Sequence, residues 1–130
     1  MTKLLKALAT PLGKVKGLGA GKNGVGHWWA QRVSALFLLP LGFWLGLNLI
    51  CLSNASFDVL HDWMRSGITA SLMILTVATL LYHSYLGLQV VIEDYVHCQA
   101  VKTTSLILVT FITILLGVLG ITAILTLMTH

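Results

Sequence analysis

The sequence predicts an all-α membrane protein with three transmembrane helices, and three observations carry that prediction. Of the 130 residues, 57% are hydrophobic and only 9% are charged, a balance foreign to soluble domains. Three stretches without any Asp, Glu, Lys or Arg, 33–52, 67–92 and 103–129, are each long enough for the ~30 Å hydrocarbon core, which ~20 helical residues cross. The basic residues are gathered at one end of the chain. Backbone groups in lipid must be satisfied within their own segment, so each stretch is expected to be a helix. A soluble core in so short a chain has no place for three such segments.

The charges set the expected orientation. Lys3, Lys6, Lys14, Lys16, Lys22 and Arg32 precede or enter the first span with no acid among them. The loop after it carries Arg65 against Asp58 and Asp62, the next carries Lys102, and nothing basic follows the third span. The positive-inside rule then puts the N-terminus in the cytoplasm and the C-terminus in the periplasm. The net charge of +4 is thereby explained by topology and by contact with anionic lipid or a soluble partner at the inner face. It does not call for nucleic acid.

Taken in order, residues 1–26 are rich in Gly and Lys, include Pro11, and read as an irregular basic lead-in to a membrane-anchor domain over 27–130. Met1 to Ala9 has the pattern of one short helix lying on the membrane surface. The lead-in lacks the apolar core of a secretory signal and the Arg and Ser of a mitochondrial presequence, which favours a bacterial inner membrane over a mitochondrial one. The first span opens on His27-Trp28-Trp29, whose indoles suit the interface. Arg32 follows, either as a snorkelling anchor or as a partner for Asp94, a haem propionate or a lipid phosphate. Pro40 is expected to loosen one turn. Gly42 and Gly46 have the spacing of a close helix approach, although that spacing is common in any apolar run.

The connection after the first span reads as a loop. Cys51 and Cys98 fall at opposite membrane faces, too far apart for a disulfide and without metal-ligand spacing, so both are read as structural. The third span carries Thr113, Gly117 and Gly120 but no ionisable group, and reads as a packing and lipid-contact helix.

The chemistry is concentrated in the second span. His83 lies inside an apolar run that ends in Glu93-Asp94-Tyr95, and an ionisable side chain in hydrocarbon is costly unless it has a partner or a task. Eleven residues separate His83 from Asp94, roughly 16 Å along a helix, so one is deep and the other at the membrane edge. His83, Gly87, Val90 and Asp94 fall on one face. A neutral imidazole is a common ligand of haem iron; its second nitrogen would be oriented by an acceptor one turn back, at Thr79. Gly87 removes bulk where a flat macrocycle or another helix would lie. A histidine merely bonded to a neighbouring helix explains the same residue. No other histidine is expected at that depth, so a haem with two axial histidines requires the other from a different chain. Tyr95 beside Asp94 offers a phenol and a carboxylate to a quinone head group, or simply an aromatic-belt residue with solvated acids.

Two blocks together resemble the small membrane-anchor D subunit of succinate dehydrogenase, the cytochrome b556-type small subunit of respiratory complex II, in its alphaproteobacterial form. One runs from His27-Trp28 through Arg32-Val33-Ser34 to Pro40; the other from His83 through Gly87 and Gln89-Val90-Val91 to Asp94-Tyr95-Val96-His97. The resemblance implies that His83 is an axial ligand of a haem b completed by a histidine of the C subunit. It implies that Tyr95 hydrogen-bonds a ubiquinone carbonyl with Asp94 beside it, and that Arg32 lies near the haem propionates and the quinone pocket. It also implies a flavoprotein that oxidises succinate, an iron–sulfur subunit, and a C-type cytochrome b subunit as partners. This chain has no Gly-rich dinucleotide fingerprint and no cysteine cluster, so succinate oxidation would occur in the partners. The alternatives are a small proton-coupled transporter, which would be expected to carry several deep polar groups or repeated halves, and a purely structural membrane anchor.

Overall fold

The computed structural model describes residues 21–129, with side chains from Val25 onward. The surface helix expected over Met1 to Ala9 lies outside the described residues. Four helices follow one another: α1 (Gly21–Cys51), α2 (Phe57–Arg65), α3 (Gly67–Tyr95) and α4 (Gln99–Thr129), with no strand among the described residues. α1, α3 and α4 are long and apolar enough to cross a membrane. Their lengths of 31, 29 and 31 residues correspond to roughly 45 Å each, more than the ~30 Å of hydrocarbon.

That surplus explains where the helices outrun the expected spans. α1 is already helical at Gly21, the first described residue, inside the segment expected to be irregular. An uncharged run marks the edge of the apolar layer, whereas a helix continues until water can take over its terminal N–H and C=O groups. Glycines in its first turns weaken the helix without forbidding it. α1 also runs without interruption through Pro40.

The three spans form a row with α3 in the middle. Among the described residues, α1 packs its backbone against α3 alone, and α4 packs against α3 on its other side. The α3–α4 contact is built from small residues, as expected where lipid removes any hydrophobic drive for helices to associate. A Cβ on Gly120 would stand 3.1 Å from Val77 Cγ1, and one on Gly117 would stand 3.6 Å from Leu81 Cδ1. Ala70, Leu86 and Ile124 are buried, as are Thr69 and Thr76. Thr76 donates its hydroxyl proton to the Leu72 carbonyl at 2.7 Å, and Thr110, Thr113 and Thr126 bond back one turn in the same way at 2.8 Å. Each threonine hydroxyl therefore stays satisfied without water. Gly42 and Gly46 have nothing within 4 Å of a built Cβ, so their face is not used inside this chain.

The connection expected to be a loop contains α2. Asp58 in its first turn and Arg65 in its last both complement the helix dipole. Its Trp63 stacks on Trp44 of α1, ring centroids 6.1 Å apart. The Trp63 indole N–H donates to Asn48 Oδ1 at 3.1 Å, and Asn48 Nδ2 donates to the Trp44 carbonyl at 2.8 Å. α2 also touches α3 and α4, so it ties one end of all three spans together. At the other end, residues 96–98 turn α3 into α4. The Val96 N–H bonds the Ile92 carbonyl at 3.0 Å, and the Lys102 ammonium caps the Glu93 carbonyl at 2.8 Å. Cys51 and Cys98 are both free and exposed, at opposite ends of the row as expected.

The two glycine pairs should respond differently to bulk. Gly120→Leu forces α3 and α4 apart and is expected to destabilise the chain by about 1–3 kcal/mol, the usual cost of overpacking. Gly46→Leu meets nothing in the chain and gains helix propensity, so its thermal unfolding midpoint in detergent should equal or exceed that of the wild type. Equal midpoints for both variants would contradict the α3–α4 contact.

A candidate cofactor site between two spans

The polar side chains of α1 and α3 meet along one seam. On α1, His27, Gln31 and Ser34 recur at helical spacing and share a face. On α3, running the opposite way, His83 and Gln89 answer them. His27 Nε2 lies 3.0 Å from Gln89 Oε1, and Gln89 Nε2 donates to Glu93 Oε1 at 2.9 Å. Deeper, His83 Nδ1 lies 2.9 Å from Ser34 Oγ and His83 Nε2 lies 3.4 Å from Gln31 Nε2. Ser34 is 3% exposed and also bonds the Gln31 carbonyl at 3.0 Å.

The seam opens into a hollow of about 570 Å³ whose lining includes His27, Gln31, Arg32, His83, Gly87 and Glu93. Gly87 leaves space on the α3 wall: a Cβ there would stand 3.5 Å from Gln31 Nε2, an ordinary contact, so nothing in the chain itself demands glycine. Arg32 brings a cation, its guanidinium carbon 5.4 Å from the centre of the Trp28 ring, a distance at which the indole face attracts it. Gln31 Oε1 is buried with no hydrogen-bond partner, an uncommon condition for a polar atom. A second hollow of about 430 Å³, lined in part by Ser34, Thr79 and Tyr82, lies against the same pair of helices.

The structure therefore brings His83, Gly87 and Arg32 together at one hollow. Asp94 and Tyr95 do not line it; they are exposed at the end of α3, Tyr95 by 78%. Glu93 takes the place on the lining that helical periodicity assigned to Asp94, its longer side chain drawn back along α3 by Gln89. Thr79 is not the partner of His83. It lines the second hollow, and the ring nitrogen bonds across to Ser34 instead, because the imidazole is turned toward α1 rather than back along its own helix.

His27 shares the hollow but is paired with Gln89, six residues beyond His83 on α3 and so roughly 9 Å away along the axis. That offset is too large for His27 and His83 to face each other across one metal ion. No group of three or more His, Cys, Asp or Glu suited to a metal occurs among the described residues. Ser34, Gln31, His27, Gln89 and Glu93 were not singled out as site residues from sequence. Their signal was the recurrence of polar residues at three- and four-residue steps on two otherwise apolar helices.

The residues fit a haem on the α1–α3 seam in three respects. They provide one imidazole nitrogen beside an open apolar hollow, a cation suited to a carboxylate, and, on the lining residue Gln31, a buried amide oxygen with no partner among the described residues. The chain is also similar to proteins that are already known. Residues 6–125 match the family model described as the succinate dehydrogenase/fumarate reductase transmembrane subunit. A succinate dehydrogenase hydrophobic membrane anchor subunit of Rickettsia bellii is 34% identical over 102 residues, covering 78% of this chain and 82% of that protein. Its counterpart in Rickettsia typhi is 34% identical over 111 residues, covering 85% and 89%. A succinate dehydrogenase membrane anchor subunit of Reclinomonas americana is 29% identical over 96 residues, covering 72% and 80%. No solved structure matches. With three apolar spans and a family match over almost its whole length, the chain belongs to the succinate dehydrogenase/fumarate reductase transmembrane subunit family.

Proposed function

We propose that this chain anchors a succinate:ubiquinone oxidoreductase in a bacterial inner membrane, with its N-terminus in the cytoplasm and its C-terminus in the periplasm. There it holds a flavoprotein and an iron–sulfur subunit on the inner face, pairs with a C-type cytochrome b subunit, co-ligates haem b through His83, and forms part of the ubiquinone-reduction site. The observation that carries the reading is the disposition of His83, with one ring nitrogen held by Ser34 and the other beside an apolar hollow that also receives Arg32 and Gly87.

A bound haem would supply a one-electron carrier within the membrane. His83 would be the one residue of this chain to hold the haem iron, since His27 is displaced toward the helix end, and the C-type cytochrome b subunit would supply the second histidine. Arg32, already within the hollow, would bond a propionate with its forked N–H groups. Gly87 would let the macrocycle lie against the α3 backbone.

Ubiquinone takes up two electrons and two protons at its two carbonyl oxygens. Tyr95, exposed at the end of α3, would donate its phenol hydrogen bond to one of them, and Asp94 beside it would pass protons from the cytoplasmic water. Both side chains project outside the single-chain hollow, so the quinone head would be held between this chain and its partners.

Three variants test the reading. His83→Ala in the purified complex should abolish the b-type haem bands of the reduced-minus-oxidised spectrum; an unchanged spectrum and haem stoichiometry would remove His83 from the site. Gly87→Leu should leave the subunit in the membrane yet lower haem content, because its side chain enters the hollow. Tyr95→Phe should lower succinate–quinone turnover by about 100-fold, the lower end of the range for a positioned proton-transfer group, while succinate oxidation with an artificial acceptor persists. Wild-type turnover in that variant would mean that the phenol is not used.

A further inference from the structure

Ser34 is buried, polar and close to His83, the one histidine among the described residues that lies near the middle of a long apolar helix. Its hydroxyl has one proton to give, and it sits 3.0 Å from the Gln31 carbonyl, the acceptor to which it donates. The same oxygen lies 2.9 Å from His83 Nδ1. With its proton committed to Gln31, the hydroxyl meets Nδ1 as an acceptor, and Nδ1 must carry the hydrogen. His83 Nε2 is then the nitrogen with the lone pair, and the amide nitrogen of Gln31, which can only donate, faces it at 3.4 Å. Both contacts select the same tautomer.

The placement also fixes the ring. A helix-borne histidine turns freely about two bonds, whereas here Nδ1 is tethered to a side chain on α1 that is itself immobilised by its bond to the backbone. Ser34 stands against the second hollow and Gln31 against the first, so the tether points Nε2 toward the larger space. Nδ1 is blocked as a ligand by the hydroxyl that holds it.

We propose that Ser34 is a positioning residue for His83. Its hydroxyl accepts the Nδ1–H, fixes the plane of the imidazole and reserves Nε2 for the metal. The inference rests on the haem reading above. An accepted Nδ1–H bond makes an imidazole a stronger electron donor to its metal, as outer partners of metal-bound histidines do in general. Loss of the acceptor should therefore disfavour the ferric state and free the ring to rotate.

The test uses the assembled complex with Ser34→Val and Ser34→Thr, which differ in the hydroxyl but hardly in volume, beside Ser34→Ala for the case in which the valine variant does not assemble. Three quantities are read: the haem b midpoint potential, the anisotropy of its ferric electron paramagnetic resonance signal, and the rate of haem transfer to apomyoglobin. Ser34→Val and Ser34→Ala should raise the potential, shift the resonance and lose haem about 10- to 100-fold more readily, while Ser34→Thr stays near the wild type. Wild-type values in both Ser34→Val and Ser34→Ala would overturn the inference and leave the haem reading intact. A wild-type complex without b-type haem, or one that keeps its haem in His83→Ala, would overturn the haem reading and the inference with it.

Discussion

The bond between Ser34 and His83 joins two long apolar helices through a hydroxyl-bearing residue that is almost wholly buried. A polar group left without a partner in an apolar medium costs several kcal/mol, whereas an interhelical hydrogen bond in a membrane returns on the order of 0.6 kcal/mol. The asymmetry makes the seam a constraint more than a source of stability. Once His83 is placed in the middle of α3, α1 must present something polar at that level and in that rotation. Ser34 meets the ring nitrogen, its neighbour Gln31 covers the other side, and the pairing of His27 with Gln89 follows from the register so fixed.

The two contacts of α3 accordingly obey different rules. Toward α4 the helix offers Val77 and Leu81 to Gly117 and Gly120, and the backbones approach until little space is left. Toward α1 it offers His83, Gln89 and the bare Gly87, and space remains on both sides of the seam. Close packing is the better solution where only cohesion is needed. The looser, polar contact is where a ligand can be accommodated.

Much of this was legible before any coordinates. The three spans follow from length and hydropathy alone, and His83 stands out because ionisable residues in hydrocarbon are scarce. The cross-helix partners were not legible, for a rotational reason. Which side of α3 faces α1 depends on how two cylinders pack, and periodicity along one helix is silent on that. Thr79 was a reasonable partner for His83 by the one-turn rule, yet the imidazole crosses to Ser34. Periodicity assigns Asp94 to the face of His83, yet it is Glu93, held by Gln89, that lines the hollow. α2 was missed because nine residues between two spans read as a connection, although Phe57, Leu60 and Met64 already mark an apolar edge.

The row of spans has a geometric consequence. Three rods laid side by side make an open tray with two broad sides, and α2 with its Trp63 ties all three rods together at one rim. A flat molecule can slide onto such a tray sideways, with no threading past a closed ring of helices. Whatever polypeptide then settles over that side becomes the lid, so loading and assembly would be ordered events, the guest first and the cover second.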